Sequence, residues 1–289
     1  MIHRNKIFII FLIFDFCIAC AFIIYFVKFR NDGGKTYNQP EVAVMGIIEH
    51  DGQIPEPVRK LKMHFSKPSG QIATTVRSEG AIANVRPRLE EKLKNFGLQW
   101  AVPVYIYLEK DEKKLHLDVF DQNKGYFVPF KTYPILKMSG TLGPKTKEGD
   151  RQCPEGFYYI TTQSLNPASK FHLSFDIGYP NNYDRQKGHT GSYIMVHGSD
   201  KSIGCFAMGD AAIEEIYAMI TAGLSSSQKI VRIHCYPFTM TDENLSKHSD
   251  SNYLPFWKNL MQGYDFYQQT RLAPNVEVVD GVFFFNDKW

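Results

Sequence analysis

From Ile7 to Val27 the chain runs IFIIFLIFDFCIACAFIIYFV, 21 residues in which only Asp15 carries a charge. As a helix rising about 1.5 Å per residue, this run is about 30 Å long, the thickness of a bilayer core. Arg4 and Lys6 precede it and Lys28 and Arg30 follow. Basic residues on both flanks leave the positive-inside rule silent about orientation. A cleavable signal has the same basic start but a shorter apolar run that ends in small residues. Here Ala19 and Ala21 lie inside the run, and the residues after Cys20 are too bulky for a lipoprotein cleavage site. An uncleaved single-span anchor is favoured over a cleaved signal. Asp15 is expected to be protonated or paired with another helix, because an ionised carboxylate at that depth costs about 3 kcal/mol.

Residues 1–30 are therefore set apart as a membrane segment, and the fold is built from the rest. An apolar fraction of 44% excludes wholesale disorder and collagen-like repetition. With 33 Lys+Arg against 30 Asp+Glu, the net charge of +3 is too mild, and too scattered, for nucleic-acid binding by charge. Five cysteines do not make a disulfide scaffold. Residues 31–83 are read as a spacer, since the stretch to about Ser69 is rich in Gly, Pro and charge without a sustained period. A helix is predicted from Asn84, with Pro87 in its first turn, Leu89, Leu93 and Phe96 on one face, and Gly97 as its stop.

Beyond it the period changes to two. Val104–Leu108 and Leu115–Phe120 read as strands joined by the charged turn Glu109–Lys114, with His116 on an exposed face. Further strands are predicted at Phe127–Ile135, Phe157–Thr162, Phe171–Ile177, Tyr193–His197 and Ile230–Tyr236. Turns at Ser139-Gly140, Gly143-Pro144, Pro154-Glu155-Gly156 and Pro180-Asn181-Asn182 separate them. A helix capped by Asp210 places Glu214 and Glu215 at its positive end and Ile213, Ile216, Tyr217 and Ile220 on its buried stripe. The fold class is α+β, mainly β with helices, and many short strands argue for a sandwich or barrel. The folded domain is assigned to residues 84–236. Residues 237–289 form an extension packed on it: a helical stretch over Asp242–Tyr267 and a hairpin turned at Asp280-Gly281.

Chemistry concentrates in Tyr193–Met208. A strand delivers His197 at its end, and eight residues later a loop delivers Cys205 beside Gly204. Cys–His catalysis needs an imidazole that takes the thiol proton while sulfur attacks a carbonyl. Gly204 lets the backbone pass close to a substrate, and N–H groups around Gly204 and Cys205 are candidates for an oxyanion hole. From the residues alone, a packed core cysteine and an unrelated histidine is the competing reading.

The segment resembles the signature of the YkuD-type L,D-transpeptidases, in which His-Gly is followed by Ser-X-Gly-Cys. His197-Gly198 and Ser202-Ile203-Gly204-Cys205 occupy those places. Leu142-Gly143-Pro144-Lys145, Gly149-Asp150, Pro154-Glu155-Gly156-Phe157-Tyr158, Gly178-Tyr179-Pro180-Asn181 and Tyr236-Pro237-Phe238 resemble the YafK-like branch. The resemblance runs from about Val85 to Val279. It implies a β-rich catalytic fold with no cofactor and a cysteine acyl-enzyme working on peptidoglycan stem peptides. Cys205 is implied as nucleophile and His197 as base and later acid, with Ser202 and Gly204 shaping the loop. A backbone carbonyl near Gly198 would orient the imidazole.

Two departures are Ile203 and Ala207, where the common pattern has His or Lys and then Arg, and the His-to-Cys loop is short. The branch that shares them is associated with hydrolysing the amide between diaminopimelate and the terminal lysine of an outer-membrane-anchoring lipoprotein. Cross-linking transpeptidation and a non-catalytic wall-binding module are the alternatives. The extension after Tyr236 is expected to wall the cleft. With the apolar span, the resemblance predicts an inner-membrane anchor with the soluble part in the periplasm.

Other residues are weighed more lightly. Arg185, with Asn181 in the turn before the catalytic strand, is a candidate for holding a stem-peptide carboxylate, because guanidinium pairs with carboxylates in a fork. Tyr193 is a further substrate-binding candidate. Cys17 and Cys20 lie in the apolar span; Cys153 and Cys235 either pair or remain two buried thiols. His172, His189 and His234 lack the spacing of metal ligands, so no metal site is predicted. Lys145 and Lys147 read as exposed charges. Trp257, Tyr264, Phe266 and Tyr267 read as core.

Overall fold

The computed structural model describes residues 63, 65–66, 70–226 and 228–286. The apolar run Ile7–Val27 lies outside these residues, and among them no helix is long and apolar enough to cross a membrane. In chain order the elements are α1 (Val76–Lys94), β1 (Val104–Glu109), β2 (Lys114–Asp121), β3 (Tyr126–Pro134), β4 (Gly156–Ile160), β5 (Leu165–Asn166), β6 (Ser174–Asp176), α2 (Asn182–Gln186), β7 (Met195–His197) and β8 (Phe206–Ala207). There follow α3 (Asp210–Ser226), β9 (Val231–Tyr236), α4 (Asp242–Lys247), α5 (Leu254–Thr270), β10 (Asn275–Val279) and β11 (Val282–Asn286).

The helix expected from Asn84 begins eight residues earlier. Thr75 caps it: its hydroxyl accepts from the Ser78 N–H while Ser78 Oγ accepts from the Thr75 N–H. Ala81, Val85, Leu89 and Leu93, spaced by four, are buried along one face. Pro87 thus sits inside the helix rather than at its start. An interior proline costs about 3 kcal/mol, and the packed stripe offsets it. Residues 76–83, read from the sequence as spacer, belong to this helix.

The α+β fold rests on a five-stranded sheet in the order β3-β2-β1-β9-β4, antiparallel except where β1 runs parallel to β9. Alternation along β1 sorts its side chains by face. Val104, Ile106 and Leu108 join a core with α1, α3 and the smaller sheet. Tyr105 turns to the other face, where it packs with Phe127, Tyr267 and Leu272. Phe157 and Tyr236 meet Phe238, Trp257, Leu260 and Phe283 on the extension. The extension is two helices rather than one, broken at residues 248–253, and its aromatic cluster is core as expected.

The smaller sheet, β5-β6-β7-β8, carries the motif. Its edge is fastened to the chain after β3, since Ala207 N–H donates to Lys137 O and Ala207 O accepts from Leu136 N–H. Helix α3 follows at once. Its stripe is buried as expected, but Glu215 turns inward to bind Arg88, Lys131 and the Tyr133 hydroxyl.

Candidate active site

Strands β7 and β8 run parallel, with Val196 opposite Phe206 and His197 opposite Ala207. That register carries Cys205 alongside Met195, whose N–H points at the sulfur at 3.4 Å. Met195 and His197 are two residues apart on one strand, hence on one face and about 7 Å apart along it. Thiol and imidazole are thereby carried at neighbouring strands, each lining its own cavity. Hydrogen bonds of catalytic pairs are commonly long before substrate binds.

The imidazole is fixed from behind. His197 Nδ1 lies 2.6 Å from Gly198 O, and a carbonyl only accepts, so Nδ1 carries the proton and Nε2 keeps its lone pair. The Phe171 ring covers the imidazole with centroids 4.7 Å apart. Gly198 has no room for a side chain: a Cβ there would lie 2.6 Å from Asp210 Oδ1 and 2.7 Å from Phe171 O. Asp210, expected as a helix cap, instead accepts the Ser199 N–H across the loop at 2.7 Å.

The loop that carries Cys205 is held on both sides. Ser202 Oγ accepts from Cys205 N–H at 3.1 Å and donates to Cys205 O at 2.5 Å. Gly204, at φ +91°, donates its N–H to Ser139 Oγ at 2.6 Å, and that hydroxyl donates to Arg151 O. The two amides expected to face an oxyanion are thus both engaged by serine hydroxyls. An oxyanion needs either a displaced hydroxyl or other donors.

Burial dominates the electrostatics. It lowers the His197 imidazole below its ordinary 6.5, against the opposing bond to Gly198. It raises the Cys205 thiol above 9.0; Met195 N–H and Lys145 pull it down and Asp176 pushes it up. A thiol shifted above 9.0 and an imidazole shifted below 6.5 are both neutral at pH 7.

Two cavities open beside the pair. One, of about 150 Å³, is lined by Cys205, Gly204, Ile203, Arg151, Glu148 and Lys145, among others. The second, of about 250 Å³, is lined by His197, Met195, Phe171, Lys170, Ser169 and neighbours. Tyr193 is common to both linings; it is 77% exposed and held at φ +56°. Lys145, read from the sequence as an exposed charge, is buried and donates to Asp150 at 2.5 Å. Burial alone would raise the Asp150 carboxyl, but Lys145 and the amides of Lys147, Gln152 and Thr146 hold it at about 2.

Of the expected site residues, the fold gathers Cys205, His197, Gly198, Ser202, Gly204 and Tyr193. Asn181 and Arg185 line neither cavity. Asn181 is buried as the cap of α2, accepting from Asp184 N–H and donating to Phe157 O. Arg185 donates to Pro180 O and to Asn182 Oδ1, folding back on its own helix. His172 faces Glu214, His189 faces Asp184, and His234 is buried against the Tyr105 hydroxyl. Cys153 and Cys235 are two buried thiols. No described residue of the extension lines either cavity, contrary to the expected wall.

Sequence reasoning missed a buried relay behind Cys205. Lys110, fully buried, donates to Glu155 Oε1, Gly143 O and Cys153 O at 2.9–3.0 Å. Glu155 also accepts from Gly143 N–H and from Trp257 Nε1 on α5. A lysine in a charged turn gives no local sign of burial; its partner lies 45 residues away.

The sequence profile of the YkuD L,D-transpeptidase catalytic domain matches residues 103–233, which include His197 and Cys205. The L,D-transpeptidase-type protein YafK of Escherichia coli K12 is 43% identical over 179 residues, 62% of this chain and 72% of the relative; its O157:H7 counterpart matches equally. Among solved structures, the helical cell shape determining protein Pgp2 of Campylobacter jejuni is 16% identical at a TM-score of 0.38, covering 66% of this chain and 80% of Pgp2. Bd1075 of Bdellovibrio bacteriovorus is 18% identical at 0.33, covering 58% and 62%. By its match to YafK and to the catalytic-domain profile, the chain belongs to the YkuD-type L,D-transpeptidase family.

Proposed function

We propose that this protein hydrolyses a peptidoglycan amide through a thioester on Cys205, the bond being that between diaminopimelate and the terminal lysine of an anchored lipoprotein. The observation that carries the cysteine chemistry is the fixed tautomer of His197, whose Nε2 keeps its lone pair on a strand paired in parallel with the one that follows Cys205. His197 takes the thiol proton as sulfur attacks the diaminopimelate carbonyl. The C–N bond breaks, and the same proton passes to the leaving lysine amine. Water then gives a proton to His197, adds to the thioester and releases a carboxylic acid, while sulfur regains its proton.

A peptide laid across Tyr193 would place its acyl part in the sulfur cavity and its leaving amine beside the imidazole. Transpeptidation needs an amine acceptor held in line and water kept out. Two features support water instead. Ile203 and Tyr193 stand 76% and 77% exposed at the cleft, with no cover over them among the described residues. Ala207 is fully buried with both backbone groups bonded, so an arginine at that place would have no room. The apolar run at residues 7–27 supports an inner-membrane anchor, with the folded part on the periplasmic side where this substrate lies.

The test is incubation of the full chain with lipoprotein-linked and lipoprotein-free sacculi, followed by muropeptide mass analysis. Lipoprotein release without new cross-links supports hydrolysis. New diaminopimelate–diaminopimelate links with loss of terminal D-Ala would replace it with transpeptidation. Muropeptide binding with no product would leave a wall-binding module.

A further inference from the structure

The sulfur cavity holds two charges that the catalytic step does not use. Arg151 and Glu148 both line it with Cys205, both are exposed, and neither side chain is paired with a described residue or with the other. Lys145, the third charge in the lining, is already neutralised by Asp150. A guanidinium and a carboxylate left open beside a nucleophile fit a ligand that carries both opposite charges close together. An ammonium and a carboxylate on one carbon, the free end of an α-amino acid, is such a ligand.

The backbone supports the same reading. Gly149 and Gly191, also in the lining, take positive φ without strain, yet Arg151 holds φ +55° with a full side chain. Non-glycine residues kept in this region are stabilised by their surroundings and cluster at functional sites. The surroundings here are the nucleophile loop itself. Ser139 ties Arg151 O to Gly204 N–H, and a Cβ on Gly204 would lie 3.7 Å from the Arg151 Cα. On the opposite side Glu148 N–H donates to Thr190 Oγ1, fixing its loop against the segment that leads to Tyr193.

We propose that Arg151 and Glu148 clamp the far amino-acid end of a diaminopimelate donor, Arg151 taking its carboxylate and Glu148 its ammonium, and so set the donor specificity of Cys205. This rests on the hydrolytic reading above for the identity of the reacting bond. Diaminopimelate has two amino-acid heads joined by three methylenes. When the carbonyl of one head meets Cys205, the free zwitterionic head reaches the adjoining charges. A stem with lysine in that place keeps the ammonium and lacks the carboxylate; an amidated diaminopimelate loses the charge but keeps the shape.

The experiment compares matched donors on the full chain in detergent: diaminopimelate, its far-end amide and lysine, with an N-acetylated diaminopimelate added for the Glu148 variant. Wild type is expected to prefer the diaminopimelate donor about 10- to 100-fold in kcat/KM, the range of a charge-assisted bidentate contact. Arg151→Ala removes the preference, Arg151→Lys restores part of it, and Glu148→Gln weakens binding of the free-amine donor but not of its N-acetylated form. Arg151→Gly relieves the backbone and keeps the fold while losing the preference, which separates specificity from stability. Equal use of the three donors by wild type, or an undiminished preference in Arg151→Ala, would overturn the clamp. A second readout is titration calorimetry with the diaminopimelate tripeptide and its amide. Tighter binding of the former by wild type but not by Arg151→Ala upholds the clamp even when no donor is hydrolysed; equal affinities overturn it.

Discussion

The Cys153 thiol donates to the carbonyl of Cys205 at 3.3 Å, so one buried cysteine holds the backbone of the other. Lys110 holds the Cys153 carbonyl in turn, and Glu155 joins Lys110 to Trp257 on α5. The nucleophile loop is thereby supported from the rear by an element that touches neither cavity. Glu155→Gln leaves the Lys110 ammonium buried without a counter-charge. It should cost about 3–5 kcal/mol of stability, read as a lower urea midpoint. Trp257→Phe keeps an aromatic ring and loses one hydrogen bond to a carboxylate, for about 1.5–3 kcal/mol before any repacking. An unchanged midpoint in Glu155→Gln would show that the relay carries no stability.

Cys205→Ala and His197→Ala should each lower turnover by at least about a thousandfold, and the double variant should lose little more, because the two groups act as a unit. Mass analysis of products from intact sacculi checks this. Turnover near wild type in Cys205→Ala would remove the thioester route.

The pH profile follows from the two shifts. With neutral His197 as the proposed base and its pKa lowered by burial, activity should fall only as pH drops through a midpoint below 6.5. Burial raises Cys205, so spontaneous alkylation by iodoacetamide should climb with a midpoint above 9.0. Stopped assays and alkylation rates across the pH range check both limbs. An acid limb at or above 6.5 contradicts the resting state described.

Ser202 grips Cys205 by its N–H and its carbonyl at once. Ser202→Ala should cost about 1 kcal/mol in stability. A larger loss is expected in kcat, about tenfold, through a misplaced nucleophile. Thermal unfolding and steady-state kinetics separate the two; a change confined to KM would assign Ser202 to substrate binding.

An alkaline phosphatase fusion after Trp289 should be active in intact cells if residues 7–27 anchor the chain with the folded part outside the cytoplasm. A fusion active only as a cytoplasmic reporter reverses that orientation.

Local pattern made much of this molecule legible. The alternation in β1 and β2, the stripe Ile213–Ile216–Tyr217–Ile220 and the hairpin at Asp280-Gly281 depend on neighbours within a few residues. So did the His-Gly and Ser-X-Gly-Cys spacing, which the parallel pairing of β7 and β8 brings to neighbouring strands. The misses are long-range. Lys110 and Lys145 look like solvated charges until Glu155 and Asp150 arrive beside them. Asn181 looked like a ligand because its turn precedes the catalytic strand, yet both ends of its amide serve α2 and β4. Asn84 and Pro87 resembled a helix start, while the true signal, Thr75 with Ser78, stood in a stretch read as spacer.

The tyrosine face of β1 has a consequence for where this protein can be cut. The profile match ends at residue 233, but Tyr105 and Phe127 are covered by Tyr267 and Leu272, and Phe157 and Tyr236 by Phe283 and Tyr264. Truncation after Tyr236 would strip one side of the central sheet to bare aromatic rings, a surface that self-associates in water. Residues 237–286 cover one face of the central sheet, and the smallest portion able to fold must retain that cover.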